Sequence, residues 1–230
     1  MKKKIDVFCL KHPNFGIPNL IRYITIANAV IWVLNMVNSR ILPYMTFSPY
    51  HILHGQVWRL ISFVFIPPST SFLAIIAFYF YYFIGTTLEQ QWGTARFNIY
   101  FFSGVILTVV YGFLVYFIAG MSVSLTAEYI YLSMFFSFAA LFPDMQVLLF
   151  FIIPIKMKWL ALVDAVFFLF GIFSMPFPAN LIPVVAIAKF FIFCGEDLLR
   201  MVGIYKKSPT SVIFQRAAKK IRREQASSLY

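Results

Sequence analysis

Serine, histidine and lysine are the side chains in this sequence that could make or break a covalent bond, and their positions limit how. A serine hydroxyl becomes a useful nucleophile only with a base in hydrogen-bond reach. Ser133 and Ser137 lie within an apolar stretch. The three histidines, His12, His51 and His54, all precede residue 55. A base for Ser133 would therefore have to be His51 or His54 brought in by the fold, or Lys189, since a desolvated lysine can have a lowered pKa. Asp164 and Lys189 are charges inside apolar runs, where an unpaired charge costs at least about 2.5–3.5 kcal/mol at mid-bilayer. They are expected to face each other across two helices, so that removing either alone destabilises and removing both recovers part of the loss. Cys9 and Cys194 cannot form a disulfide framework, and no spacing suggests a metal site or a cofactor.

The elements that must position these groups follow from composition. Of 230 residues, 61% are hydrophobic, 12% are charged and 29 are phenylalanine. That leaves too few polar residues to clothe a water-soluble domain, so the chain belongs in a bilayer. Disorder, a collagen-like repeat, a disulfide-dense module and a nucleic-acid-binding domain are excluded. The net charge of +11 lies mostly in the two tails, which fits a membrane protein held against an anionic leaflet and predicts no nucleic-acid partner.

Six apolar runs read as transmembrane helices: 20–38, 71–88, 97–119, 128–142, 159–173 and 181–199. The fourth is short and suits a helix buried inside a bundle. The run 146–155, bounded by Pro143 and Pro154, reads as a re-entrant or interfacial connection. The fold class expected is therefore an all-α polytopic membrane protein with six transmembrane helices. Residues 1–19 form an N-terminal tail, 20–200 the membrane domain and 201–230 a basic C-terminal tail. The connection 40–70 carries His51, His54, Trp58 and Arg59 among apolar residues, a composition suited to lying in the bilayer interface.

Trp58-Arg59 resembles the Trp-Arg motif in the first loop of rhomboids and derlins. Gly85, Leu88, Glu89, Gly93, Arg96 and Phe97 match the G-x-x-L-E-x-x-x-G-x-x-R-F pattern of that superfamily at the junction of its second and third helices. Without the family, the same residues read as a tight hairpin. Gly85 permits close helix packing, Glu89 can accept hydrogen bonds from backbone N–H groups entering the third helix, Gly93 permits the turn, and Arg96 can pair with Glu89 or anchor to phosphates. The resemblance implies a rhomboid-like bundle with an interfacial first loop, and a catalytically incomplete, bacterial-type member located, in that case, in the bacterial cytoplasmic membrane.

Rhomboid proteases use a Ser-His dyad and an oxyanion site built from His and Asn of the second helix. The fourth-helix serines here lack the neighbouring glycines of G-x-S-G. The oxyanion positions hold Leu73 and Ala77, and the dyad histidine's position falls near Ala188. The resemblance thus implies a pseudoprotease that binds, retains or escorts transmembrane segments of client proteins. The alternatives are an atypical intramembrane serine protease using Ser133 with Lys189 or His54, and a small transporter suggested by Asp164 and Lys189. In the C-terminal tail, Phe214, Ala217, Ala218 and Ile221 form one helical stripe among basic residues, so this tail is expected to lie on the anionic inner leaflet. Sixteen of the nineteen Lys and Arg residues fall on one side of six spans, which predicts both termini in the cytoplasm. A membrane-impermeant thiol reagent should then label single cysteines placed within 40–70 and spare cysteines in either tail; labelling of a tail in intact cells would overturn this topology.

Overall fold

In the computed structural model, residues 8, 9, 12, 15–149 and 153–174 are described. The sixth run (181–199), Lys189, Cys194 and the C-terminal tail lie outside them. The described chain is mostly helical. Helix α1 (Leu20–Val37) is followed by three short helices, α2 (Ile41–Met45), α3 (Pro49–Leu53) and α4 (Arg59–Ser62), and a 3₁₀ turn at Phe63–Phe65. Then come α5 (Ala74–Trp92), α6 (Thr94–Ala119) and α7 (Glu128–Leu141). A hairpin of β1 (Gln146–Leu149) and β2 (Ile153–Lys156) leads into α8 (Met157–Ser174). Two of these helices, α1 and α6, are long and apolar enough to cross a bilayer.

Helix α1 packs on α5, α5 on both α6 and α7, and α8 on α7. Nine of the fourteen residues of α7 are buried, which places this short helix at the centre of the packing. Outward faces are apolar as well. Val30 and Val33 on α1, and Ile106, Val110 and Leu114 on α6, are all exposed, the pattern of helices that meet hydrocarbon rather than water.

The connection 40–66 is folded, not open loop. Phe47 is fully buried, edge-on to Phe63 and Phe113. It lies so close to Gly112 of α6 that any side chain there would collide with its ring. Phe47 also exchanges both backbone hydrogen bonds with Leu125, at 3.1 Å each, stapling the first connection to the segment that leads into α7. Deeper in, Asn28 Nδ2 donates to the Tyr131 hydroxyl at 2.7 Å and Tyr131 donates to the Val64 carbonyl at 3.3 Å. This chain joins α1, the first connection and α7. Tyr131 stacks on Tyr81 of α5 at 4.7 Å.

Within the run read as a re-entrant or interfacial connection, β1 and β2 pair as an antiparallel hairpin, an extended form that was not expected, with Gln146 opposite Lys156 and Leu149 opposite Ile153. Strand pairing satisfies the backbone of a short apolar run, and Pro143-Asp144 provides the turn out of α7. The hairpin base carries Asp144, whose carboxylate accepts from Lys158 at 2.9 Å and lies 3.5 Å from Lys156. The hydrogen bond and the charge of Lys158 hold the Asp144 carboxyl below its ordinary pKa. A depressed carboxyl pKa stabilises the fold above the unfolded-state value and loses that contribution as pH falls through the folded-state value. Hydrogen exchange at Met157 and Lys158 should therefore accelerate as pH is lowered through that range, beyond the intrinsic trend, and Asp144→Asn should remove this extra acid dependence.

Candidate functional site

The Trp58-Arg59 pair turns the end of α2 into a closed joint. The last carbonyls of a helix have no intrahelical partner, and here all four are met by side chains. Arg59 Nη1 donates to the Pro43 carbonyl at 2.7 Å and to that of Thr46 at 2.8 Å. Trp58 Nε1 donates to the Tyr44 carbonyl at 3.2 Å, and Ser62 Oγ to that of Met45 at 2.8 Å. Gln56 Oε1 accepts from Arg59 Nε at 2.7 Å. Burial lowers the Arg59 pKa, with Tyr44 acting in the opposite direction, but a guanidinium stays charged and suits the negative end of a helix. Only 4% of Arg59 is exposed, while Trp58, Val57 and Ile61 point outward. This combination gives the first connection a polar skeleton inside and apolar side chains outside.

A second joint forms where α5 turns into α6. Gly93 takes φ 82° and ψ 156°, a conformation essentially restricted to glycine. Leu88 and Phe97 are fully buried on either side of it. The Glu89 carboxylate accepts from the Asn19 backbone N–H at 2.9 Å and from the Thr94 hydroxyl at 3.0 Å. Beside it, Asn98 makes a two-way contact with the backbone of Ile17. Its Oδ1 accepts from the Ile17 N–H at 3.0 Å and its Nδ2 donates to the Ile17 carbonyl at 2.9 Å. Gly16 lies against Asn98 so closely that a Cβ would stand 2.7 Å from its Cγ. One turn further on, Gly85 receives Ile21 of α1, and a Cβ at Gly85 would stand 2.5 Å from Ile21 Cγ1. The α5–α6 junction therefore grips the strap 16–19 that precedes α1 and then the first turn of α1 itself.

This arrangement differs from the sequence expectation in two ways. Glu89 serves the approach to the first helix rather than the backbone of the third. Arg96 lies over the Trp92 ring, 5.6 Å from its centroid, a cation–π contact that the spacing did not suggest. Asn98, Asn19, Gln56 and Ser62 were not singled out by spacing. Asn98 directly follows the motif's Phe97, and an amide inside an otherwise apolar helix was the signal that it needs a partner.

The groups with catalytic potential are not brought together among the described residues. Ser133 is 1% exposed, and its Oγ donates to the Ile130 carbonyl of its own helix at 2.7 Å. Ser137 bonds the Ser133 carbonyl and the Tyr100 hydroxyl, each at 2.9 Å. His54 is exposed, with Nδ1 2.7 Å from the Tyr50 carbonyl and its ring 4.2 Å from that of Tyr50. A serine–histidine contact does exist elsewhere: Ser48 Oγ lies 2.9 Å from His51 Nδ1 and 3.1 Å from Ser122 Oγ. Ser48 is 5% exposed, and the cluster reinforces the Phe47–Leu125 staple beside it. Leu73 precedes the first residue of α5 and is exposed; Ala77 lies one turn on. Asp164 is half-buried on α8, within the electrostatic reach of Glu128 and Tyr81; its expected partner Lys189 is outside the described residues. No three of the described His, Cys, Asp and Glu residues are grouped so as to hold a metal.

The sequence model of one protein family, described as eukaryotic integral membrane protein (DUF1751), matches residues 20–194. The chain belongs to that family. The match begins at the first residue of α1 and takes in Trp58-Arg59 and the junction from Gly85 to Phe97, but not the strap 16–19. It establishes an integral membrane protein and a eukaryotic family, which overturns the bacterial-type expectation and the location drawn from it. No curated protein and no solved structure matches the chain.

If Arg59 acts as the cap of α2, its removal takes the charged donor from the carbonyls of Pro43 and Thr46, hydrogen bonds to a charged group being worth about 1.5–3 kcal/mol. Arg59→Ala should lower stability to unfolding in mild detergent by about 3 kcal/mol, and Arg59→Lys, which keeps the charge but not the fork, by about half of that. Equal losses for both substitutions would show that the charge contributes nothing there, and no loss for Arg59→Lys would show that charge alone suffices.

Proposed function

We propose that the chain is a rhomboid-like pseudoprotease, a six-helix membrane protein that binds, retains or escorts transmembrane segments of other membrane proteins, with both termini in the cytoplasm. The observation that carries the reading is the state of Ser133. It occupies the helix where a rhomboid nucleophile would stand, yet it is buried and bonded to its own helix. The oxyanion positions hold Leu73 and Ala77, and every histidine lies before residue 55. A serine hydroxyl that donates to its own helix is not presented to a base, and leucine and alanine side chains offer no donors to a developing oxyanion. The resemblance at Trp58-Arg59 and at Gly85 to Phe97 supports the scaffold half of the proposal.

The binding half is supported by the surfaces of α5 and α8. Helix α8 packs chiefly on α7. Tyr79 and Ile75 of α5, and Val163 and Phe167 of α8, are exposed. Two apolar, aromatic-bearing faces at the second and fifth helices could receive a client helix by side-chain packing, the dominant attraction between helices in lipid. The Asp164–Lys189 pair belongs to the same proposal and would close the bundle between its fifth and sixth helices.

Photocrosslinking residues placed at Tyr79 and Phe167 in the native membrane test this reading. The expected products are adducts with intact transmembrane proteins, unchanged in Ser133→Ala. Adducts to cleaved fragments that disappear in Ser133→Ala would instead establish a protease, and the absence of membrane-protein adducts from both positions would remove the client-binding role.

A further inference from the structure

The two histidines of the first connection serve neither joint. His51 lies in α3 and His54 directly follows the last residue of that helix. The His54 N–H donates to the Tyr50 carbonyl at 3.2 Å, so the helical turn continues through it. Side chains three residues apart on a helix are neighbours, with Cβ atoms about 5–6 Å apart. Both imidazoles also meet the ring of Tyr50, His51 edge-on at 5.4 Å and His54 tilted at 4.2 Å. Both are exposed.

Each ring is held by its inner nitrogen. His54 Nδ1 lies 2.7 Å from the Tyr50 carbonyl. A carbonyl only accepts, so Nδ1 carries the proton and, in the neutral ring, Nε2 carries the lone pair. His51 Nδ1 lies 2.9 Å from Ser48 Oγ, which is 3.1 Å from Ser122 Oγ. With its proton on Nδ1, His51 donates to Ser48 and Ser48 donates to Ser122, so this chain is satisfied in the tautomer that leaves Nε2 bare. Ser48 is buried, which fixes the hydroxyl that orients the ring. Neither Nε2 has a partner among the described residues. A metal-binding histidine is built in the same way: its second nitrogen donates to a carbonyl, a carboxylate or water, and that bond sets both the tautomer and the direction of the ring.

We propose that His51 and His54 chelate one divalent transition-metal ion through their Nε2 atoms, with Ser48 and the Tyr50 carbonyl orienting the two rings. Imidazole suits zinc, copper and nickel, whereas magnesium and calcium take oxygen ligands. Among the imidazole-binding ions, copper(II) should bind most tightly. Two protein ligands leave the other coordination positions to water, which makes this an open surface site and not a closed structural one with four protein ligands. A His-x-x-His spacing is a weak signal by itself. What distinguishes this pair is that both inner nitrogens are already engaged. The inference concerns the first connection alone and is independent of client binding at α5 and α8.

The test titrates copper(II) into the full chain in mild detergent and counts the coordinating nitrogens by electron paramagnetic resonance. His12→Gln removes the remaining histidine, and Cys9→Ser with Cys194→Ser removes the thiols. The expected signal is one bound ion per chain with two imidazole nitrogens, displaced by excess zinc and untouched by excess magnesium. His51→Gln and His54→Gln should each leave one imidazole nitrogen and weaken binding by about tenfold or more. Ser48→Ala keeps both ligands but frees the His51 ring, and should weaken binding by about tenfold with both nitrogens still in the spectrum. His54→Gln leaves the Ser48–His51–Ser122 contacts in place, so it remains decisive if changes at His51 or Ser48 impair folding. A native signal with one imidazole nitrogen or none, or one unchanged by His54→Gln, would overturn the chelate. Full affinity in a folded Ser48→Ala would overturn the orienting role of Ser48.

Discussion

The contact on which the arrangement of this membrane domain depends is the grip of Glu89 and Asn98 on the backbone that precedes the first helix. Helix α1 carries Asn28 and Asn35 in its interior and has no acidic residue in its first turn or basic residue in its last. Hydrophobicity can place such a helix in a bilayer but says little about its depth or rotation, because lipid tails are as apolar as the neighbouring helices. The junction between α5 and α6 supplies that information. It fixes the chain at Ile17 and Asn19, and the bare backbone of Gly85 then takes Ile21. With α1 set in depth and rotation, Asn28 meets Tyr131 of α7. One polar joint ahead of the first helix thus sets up a second between the helices.

The same economy governs the first connection. With 12% charged residues in the whole chain, Arg59 serves two carbonyls and a glutamine at once. Trp58 and Ser62 meet the two carbonyls between them. Where hydrocarbon is close, each unsatisfied backbone group costs several kcal/mol, so side chains that close helix ends are constrained as tightly as catalytic ones. The motif residues thus have a structural duty of their own: they hold helices in register whether or not chemistry is performed between them.

Parts of this were legible in the sequence and parts were not, for physical reasons. The hairpin from Gly85 to Phe97 could be read because its requirements are local. Gly93 must adopt a positive φ, and glycine, buried leucine and carboxylate stand one turn apart. The burial of α7 could be read from its shortness. The grip itself could not, because Asn98 and Ile17 are 81 residues apart and an amide carries no mark of its partner. The contact of Arg96 with Trp92 could not be read either, because the two stand on opposite sides of the Gly93 turn and only its geometry brings the guanidinium over the ring. The β1–β2 hairpin was missed since a ten-residue apolar run between prolines has one appearance whether it turns back as strands or re-enters the bilayer.

The claim that Glu89 and Asn98 act as one joint is tested most directly by a double-mutant cycle on unfolding of the full chain in bicelles. Glu89→Ala, Asn98→Ala and the double substitution are compared with the native sequence. If both side chains hold the same strap, the first substitution frees it and the second costs little more, so the combined loss falls short of the sum by about 1 kcal/mol or more. Losses that add to within about 0.3–0.5 kcal/mol would mean that the two residues act separately, and the account of how the first helix is positioned would be wrong.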